Sequence, residues 1–386
     1  MTDRWHALLP ETAGAEGVAA TGGVLHGRTF VAKDNIDVMG SVTAAGSPAL
    51  RAVRPPASRS AEVVRSLLAA GASYAGKARS DELAFSLGGV NDLDGTPSNP
   101  AAPGHTCGGS SSGSAAAVAG GLADVGLGTD TAGSIRVPAS YCGLVGMRPT
   151  HGRVDADGVL PLAPSYDVVG WLTRDGAAAL DTGRVLVRQW RESPPPIALL
   201  LATDLLPADE DDAAIVLRTW QRWALALDAS PSFITLGRLD EWTAAFHVLR
   251  SAEAWGVHGR WLEEESPAIS VAVAARLRAG ALLTQADVRA AEHVRAALVA
   301  RLDAAIPPGS ALLVPGAAGR APSLAATNDE LDVVRRQTLR LTTIAALAGA
   351  PSIVVPARPA GLPFGVALIG RPGDDESLLA AAAQFC

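Results

Sequence analysis

Residues 108–154 read GGSSSGSAAAVAGGLADVGLGTDTAGSIRVPASYCGLVGMRPTHGRV. Small residues dominate, and their order is informative. A Gly/Ser loop leads into an Ala-rich helix at 114–121. A short apolar run at 123–129 reads as a buried strand, and 130–136 as a second tight loop. Loops alternating with strand and helix in this way indicate an α/β class. A helix opening near Ile135 would direct its N-terminal dipole at the second loop and favour negative charge there.

Upstream, TFVAK (29–33) reads as a strand running into Lys33-Asp34-Asn35, and 74–77 as another. Residues 58–70 have helical spacing with Gly71 as a stop, and Ser80-Asp81-Glu82 reads as a helix start. The stretch 91–113 is rich in Gly, Pro, Asn and Ser and reads as loop. Downstream, 210–228 and 284–304 are the clearest helices, the second opening on a capping box at Thr284 with Asp287 in place of Glu. Strands are expected at 197–201, 311–314, 352–355 and 364–369, and a last helix near Asp374. Pro194-Pro195-Pro196 is the one candidate boundary, and no internal repeat is visible.

The chain of 386 residues has room for about two domains or one large α/β unit. Apolar residues make up 48% and charged residues 18%, which excludes a disordered chain. A net charge of −7 argues against nucleic acid as the partner. Three cysteines, Cys107, Cys142 and Cys386, are too few for a disulfide framework and suggest a reducing compartment. The N-terminus lacks a signal-like apolar stretch, and no run of about 20 apolar residues suggests a membrane span. These features give a cytoplasmic expectation.

The Gly/Ser loops admit several chemistries. Neither GxxxxGK[ST] nor GxGxxG is present, which removes phosphate binding. Gly109-Ser110-Ser111-Ser112-Gly113 fits a GxSxG nucleophile elbow centred on Ser111, but no apolar strand precedes it. A different set fits better. Lys33 ends an apolar strand, where burial would lower its pKa and make it a base. Ser110 lies in the first loop and Ser134 in the second, and a serine becomes a nucleophile once a base takes its proton. Thr131, Ala132 and Gly133 are small enough to turn backbone N–H groups inward as an oxyanion hole. Lys77 is the rival lysine. Ser111 and Ser112 read as loop hydrogen-bonders, Cys107 and Cys142 as buried inert thiols, and His105 and His151 as structural.

The quoted stretch closely resembles the signature of the amidase-signature hydrolases, a region here spanning about 104–154. AKDNID (32–37) resembles the segment that carries that family's lysine, and GAPSIVVPA with LPFGVALIG resembles its closing strands. The resemblance implies one α/β domain over 1–386, a mixed twisted sheet covered by helices on both faces. It implies a Ser–cisSer–Lys triad with Ser134 as nucleophile, Ser110 as bridging serine after a cis peptide bond, and Lys33 as base. The N–H groups of Thr131, Ala132, Gly133 and Ser134 would form the oxyanion hole. Thr129, Asp130 and Arg136 are read as supports, Asp130 bonding loop N–H groups and Arg136 pairing a carboxylate. Ala132 departs from the Gly-Gly pair of many members and resembles the allophanate-hydrolase-type loop.

DELAFSLGGVNDLDGTPSNP (81–100) and SYDVVGWLTRD (165–175) most resemble compact plant-type indole-3-acetamide amidohydrolases and their bacterial relatives. The expected reaction is hydrolysis of small apolar or aryl-acyl primary amides to acid and ammonia, with Phe85, Tyr166 and Trp171 as candidate pocket walls. No metal or organic cofactor is implied. The expected partner is the small-molecule amide, with no nucleic acid or membrane, and a homodimer is possible. The alternatives are a glutamine-dependent amidotransferase subunit and a non-enzymatic scaffold.

Overall fold

The computed structural model describes residues 2–10, 21–357 and 361–385. Cys386 and part of the N-terminal stretch read above lie outside them. The strands are β1 (Thr29–Lys33), β2 (Ser73–Ala78), β3 (Val125–Asp130), β4 (Val145–Arg148), β5 (Val168–Thr173), β6 (Ala198–Ala202), β7 (Ser230–Ile234), β8 (Ser310–Pro315), β9 (Ser352–Pro356) and β10 (Gly365–Ile369). They form one sheet in the order β2-β1-β3-β5-β4-β9-β10-β8-β6-β7. Pairing is parallel at both ends, β2-β1-β3 and β8-β6-β7, and antiparallel through the middle. The mixed sheet and α/β class expected from the sequence are present.

The helices are α1 (Pro48–Val53), α2 (Glu62–Ala69), α3 (Ser112–Ala119), α4 (Arg136–Cys142), α5 (Gly176–Leu186), α6 (Glu210–Ala226), α7 (Leu239–Glu265), α8 (Val271–Ala281), α9 (Gln285–Ala305), α10 (Asn328–Ala348) and α11 (Asp375–Phe385). One face of the sheet packs on α3, α4, α7, α9 and α10, the other on α2, α5, α6 and α11. The strands alternate between these cores: in β8, Leu312 and Val314 face the first, Ala311 and Leu313 the second. A smaller cluster joins Leu83, Phe85 and Leu162 to Ala254 of α7 and Val273 and Leu277 of α8.

Three local outcomes matter for the site. The capping box expected at Thr284 and Asp287 is formed. The helix expected at Ser80–Glu82 is only a 3₁₀ turn, Glu82–Ala84. The reason is Asp81, whose carboxylate turns inward to accept from Gly89 N–H and Ser112 Oγ rather than capping a helix. The third concerns Gly128 in β3. A Cβ there would lie 2.5 Å from Ser111 Oγ, so glycine lets the first Gly/Ser loop press against the sheet. Pro194-Pro195-Pro196 leads into β6 within the same sheet.

Candidate active site

Strands β1 and β3 run parallel and adjacent, so Lys33 and Thr129-Asp130 emerge side by side at their C-terminal ends. This is where open parallel strands expose groups between departing loops. The first Gly/Ser loop, entering α3, and the second, entering α4, both close over this edge. A backbone hydrogen bond from Ser111 N–H to Ser134 O, at 3.3 Å, ties the loops together.

Lys33 is fully buried, and its Nζ lies 2.8 Å from Ser110 Oγ and 2.9 Å from Thr129 Oγ1. Asn35 Nδ2 also donates to Thr129 Oγ1, at 3.1 Å. Burial lowers the Lys33 pKa to about 7, against the opposing pull of Asp81, Asp130 and Asp167. Among the described residues no salt bridge involves Lys33. The rival, Lys77, is equally buried but pairs with Asp34 at 3.4 Å and donates to Thr43 Oγ1 and the Val42 carbonyl. The peptide bond between Gly109 and Ser110 is cis, as the resemblance implied. Ser111 donates its hydroxyl to the Thr129 carbonyl and Ser112 its hydroxyl to Asp81, so both are loop hydrogen-bonders. Ser134 lies on a small cavity, and its hydroxyl has no hydrogen-bond partner among the described residues.

The second loop is held by a buried charge cluster. Asp130 Oδ1 accepts from Gly133 N–H at 2.8 Å, and Oδ2 from Ile135 N–H at 3.2 Å. Arg136 clamps the same carboxylate with Nε and Nη2, and Arg148 adds Nη1 at 3.0 Å. Burial alone would raise the Asp130 pKa, but the two guanidinium groups outweigh it and hold the carboxyl well below the usual range. Arg136 also donates to the Thr342 carbonyl at 2.7 Å, and Thr342 Oγ1 donates to the Ala132 carbonyl at 2.6 Å. Thr131 Oγ1 donates to Asp167 at 2.5 Å.

Replacing Asp130 with Asn would leave Arg136 and Arg148 buried without their counter-charge. The expected cost is about 3–5 kcal/mol of folding stability, read by urea unfolding. A loss under about 1 kcal/mol would show that this cluster does not hold the loop.

The geometry modifies the expected oxyanion set. Gly133 N–H is committed to Asp130, whereas the N–H groups of Thr131, Ala132 and Ser134 have no acceptor among the described residues. Gly133 supplies the turn instead. Its φ is +124°, and a Cβ would lie 2.9 Å from Thr342 Cγ2. Ala132 is outside the left-handed region, so its Cβ is tolerated.

The pocket expectations divide. Phe85 lines the cavity at Ser134 together with Ser86, Leu87, Ala132, Leu162, Arg250 and Arg335. Tyr166 does not: it is buried edge-on against Phe246, ring centroids 5.3 Å apart. Trp171 lies in the opposite core, its indole N–H donated to the Ala179 carbonyl at 3.0 Å, because its place in β5 points it away from the two Gly/Ser loops. The space at Ser134 is about 10 Å³, room for roughly one water. It adjoins a cavity of about 450 Å³ that shares Ser86, Leu87 and Arg335 as walls. Arg250 and Arg335 were not anticipated from the sequence.

The amidase family model matches residues 7–200 and 252–379. An amidase 1 of Oryza sativa subsp. japonica is 34% identical, over 92% of this chain and 89% of its own. An indoleacetamide hydrolase of Pseudomonas savastanoi is 44% identical over 42% of this chain and 35% of its own. A crystal structure of an amidase superposes with a TM-score of 0.84 at 32% identity, covering 94% of this chain and 85% of that one.

The cytoplasmic expectation is overturned. A Pisum sativum relative, 29% identical over 91% of this chain and 64% of its own, is named as a translocon component at the outer membrane of chloroplasts. Another, from Arabidopsis thaliana, 42% identical over 42% of this chain and 27% of its own, is named a mitochondrial outer envelope protein. This chain matches relatives named for organelle envelopes, so its composition and N-terminal sequence do not assign it to the cytoplasm. Among the described residues no helix is long and apolar enough to cross a membrane. With a family model covering most of the chain and a relative spanning nine-tenths of it at this identity, the chain belongs to the amidase family.

Proposed function

We propose that this amidase cleaves the C–N bond of small carboxylic amides through an acyl-enzyme on Ser134. One observation carries the reading: a fully buried lysine without a salt-bridge partner among the described residues lies 2.8 Å from the hydroxyl of Ser110. A buried lysine in that setting is readily neutral, and a neutral amine is a proton acceptor. Its N–H groups have Thr129 Oγ1 as acceptor, which leaves the lone pair for the Ser110 O–H. Ser110 then accepts the Ser134 proton as Ser134 Oγ bonds to the amide carbon.

The carbonyl oxygen becomes an oxyanion, received by the N–H groups of Thr131, Ala132 and Ser134 at the head of α4. When the intermediate collapses, the C–N bond breaks and the relay returns a proton to the leaving nitrogen, so a primary amide releases ammonia. Water enters by the same relay, breaks the acyl ester and restores Ser134. Phe85, Leu87 and Leu162 provide apolar walls for an apolar or aryl acyl group. The single sheet supports reading 1–386 as one domain. An amidotransferase role is less supported, since the matched relatives spanning nine-tenths of the chain include proteins named amidases.

The test is ammonia release from indole-3-acetamide, phenylacetamide, short aliphatic amides, malonamate and glutamine, with fluorophosphonate labelling of Ser134 alongside. Release from aryl or aliphatic amides with labelled Ser134 is expected. No release from any of them, with Ser134 unlabelled, would overturn the reading.

A further inference from the structure

Two arginines line the cavity at Ser134, and neither forms a salt bridge among the described residues. Arg250 of α7 is 5% exposed, and its guanidinium lies over the rings of Phe85 and Phe246, 5.0 and 5.3 Å from their centroids. Among the described residues its one side-chain hydrogen bond is from Nη2 to His247 Nδ1 at 3.0 Å. Burial, with Arg250 and Arg335 adding, pushes the His247 pKa down to about 3, so this partner is neutral. The Nε of Arg250 and the Nε of Arg335 are buried with no hydrogen-bond partner among the described residues. Arg276 of α8 is close enough to act on both, and its Nη1 donates to the Phe85 carbonyl at 2.8 Å.

Among the described residues none of the three arginines forms a salt bridge. The carboxylates that act on them without a salt bridge are Asp332, which lines the adjoining cavity with Arg276 and Arg335 and favours their charged forms, and Asp81, which acts on Arg276. Burial and mutual repulsion lower the Arg250 pKa to about 9 and that of Arg335 to about 10. A buried cation without a counter-ion is costly to the folded state. Arg250 and Arg335 share the walls of the cavity at Ser134, beside Phe85, Leu87 and Leu162. An anion on the substrate would supply the missing partner.

We infer that Arg250 and Arg335 form the anion-recognising end of the acyl site, and that the preferred amides carry a carboxylate at the far end of a short, otherwise apolar acyl chain. This rests on the amidase reading above and adds the substrate class: monoamides of dicarboxylic acids. Phe85 and Leu162 take the carbon skeleton. The guanidinium groups bind the carboxylate with charge-assisted hydrogen bonds. Because the space at Ser134 holds about one water, binding has to displace a wall. Arg335, half-buried and common to the small and large cavities, is the group that an entering anion would draw across.

The experiment compares kcat/KM for the monoamides of succinic, glutaric and adipic acids with neutral amides of equal chain length that end in methyl. Wild type is expected to prefer at least one anionic member by about tenfold or more. Arg335→Met and Arg250→Met are expected to lower that preference by about 10- to 100-fold, mainly through KM. Arg260→Gln removes an exposed charge from the same helix and should leave the preference in place. A binding readout runs in parallel without turnover. Succinate, glutarate or adipate should raise the Tm of wild type and of Arg260→Gln, and raise that of Arg335→Met much less. Arg335 is the safer variant if Arg250→Met fails to fold.

Equal kcat/KM for anionic and neutral amides, with Ser134 still releasing ammonia, would overturn the substrate class and leave the amidase reading intact. A Tm shift that survives Arg335→Met undiminished would overturn the assignment of that arginine. If no amide is turned over and Ser134 stays unlabelled, the amidase reading fails. The dicarboxylate Tm shifts then decide the anion site by themselves, and their absence overturns it.

Discussion

Ser134→Ala is expected to lower kcat for the best amide by about 10⁴-fold or more, with the protein as stable as before. The two halves of this expectation have separate causes. The rate falls because the other hydroxyls of the first Gly/Ser loop are engaged: Ser111 and Ser112 donate to Thr129 and Asp81, and Ser110 is engaged with Lys33. The fold holds because the Ser134 hydroxyl has no hydrogen-bond partner among the described residues and lies on a cavity, so removing it breaks nothing and leaves no buried group unpaired. An unfolding free energy within about 0.5 kcal/mol of wild type, beside a collapsed kcat, would match both halves. Retention of more than a tenth of wild-type kcat would remove Ser134 as nucleophile. A large loss of stability would mean that its hydroxyl is structural.

How much of this was legible in the sequence depended on whether the signal was local. The loop–helix–strand–loop order of 108–136 is written in consecutive small residues, and the structure repeats it as α3, β3 and the head of α4. Lys33 was legible because it ends an apolar run. Its separation from Lys77 rests on Asp34, whose contact with Lys77 crosses between strands and has no sequence signature. The support expected from Asp130 and Arg136 is present, but the two clamp each other, and Arg148, which completes the cluster, was not anticipated.

Trp171 was misplaced for a physical reason. All of β5 is buried, so no polar alternation marks which face a residue takes when helices cover both. Arg250 and Arg335 were invisible for the converse reason. An arginine in a helical stretch reads as a solvated face, and nothing local announces that α7 and α10 bring Arg250 and Arg335 to the cavity at Ser134.

Replacing Lys33 tests the proton path itself. Lys33→Met is expected to cost about 10³- to 10⁵-fold in kcat, since Ser110 loses its acceptor and the Ser134 proton has nowhere to go. Lys33→Arg should fall as far, because a guanidinium with a pKa above about 12 keeps its protons throughout the working range. The wild-type pH profile supplies the sign. A lysine with its pKa near 7 is neutral above that pH and protonated below it, so kcat/KM should rise through a midpoint of about 7 and level off. The profile should lose activity as pH falls and be flat on its alkaline side until other groups titrate.

Of the carboxylates that oppose burial at Lys33, Asp81 acts most strongly. Asp81→Asn removes that charge while its Oδ1 still accepts from Gly89 N–H and its Nδ2 donates to Ser112 Oγ, so the ascending limb should move to lower pH. A limb that stays at 7 in Asp81→Asn, or a Lys33→Arg enzyme that keeps a lysine-like profile, would assign the titrating base to another group.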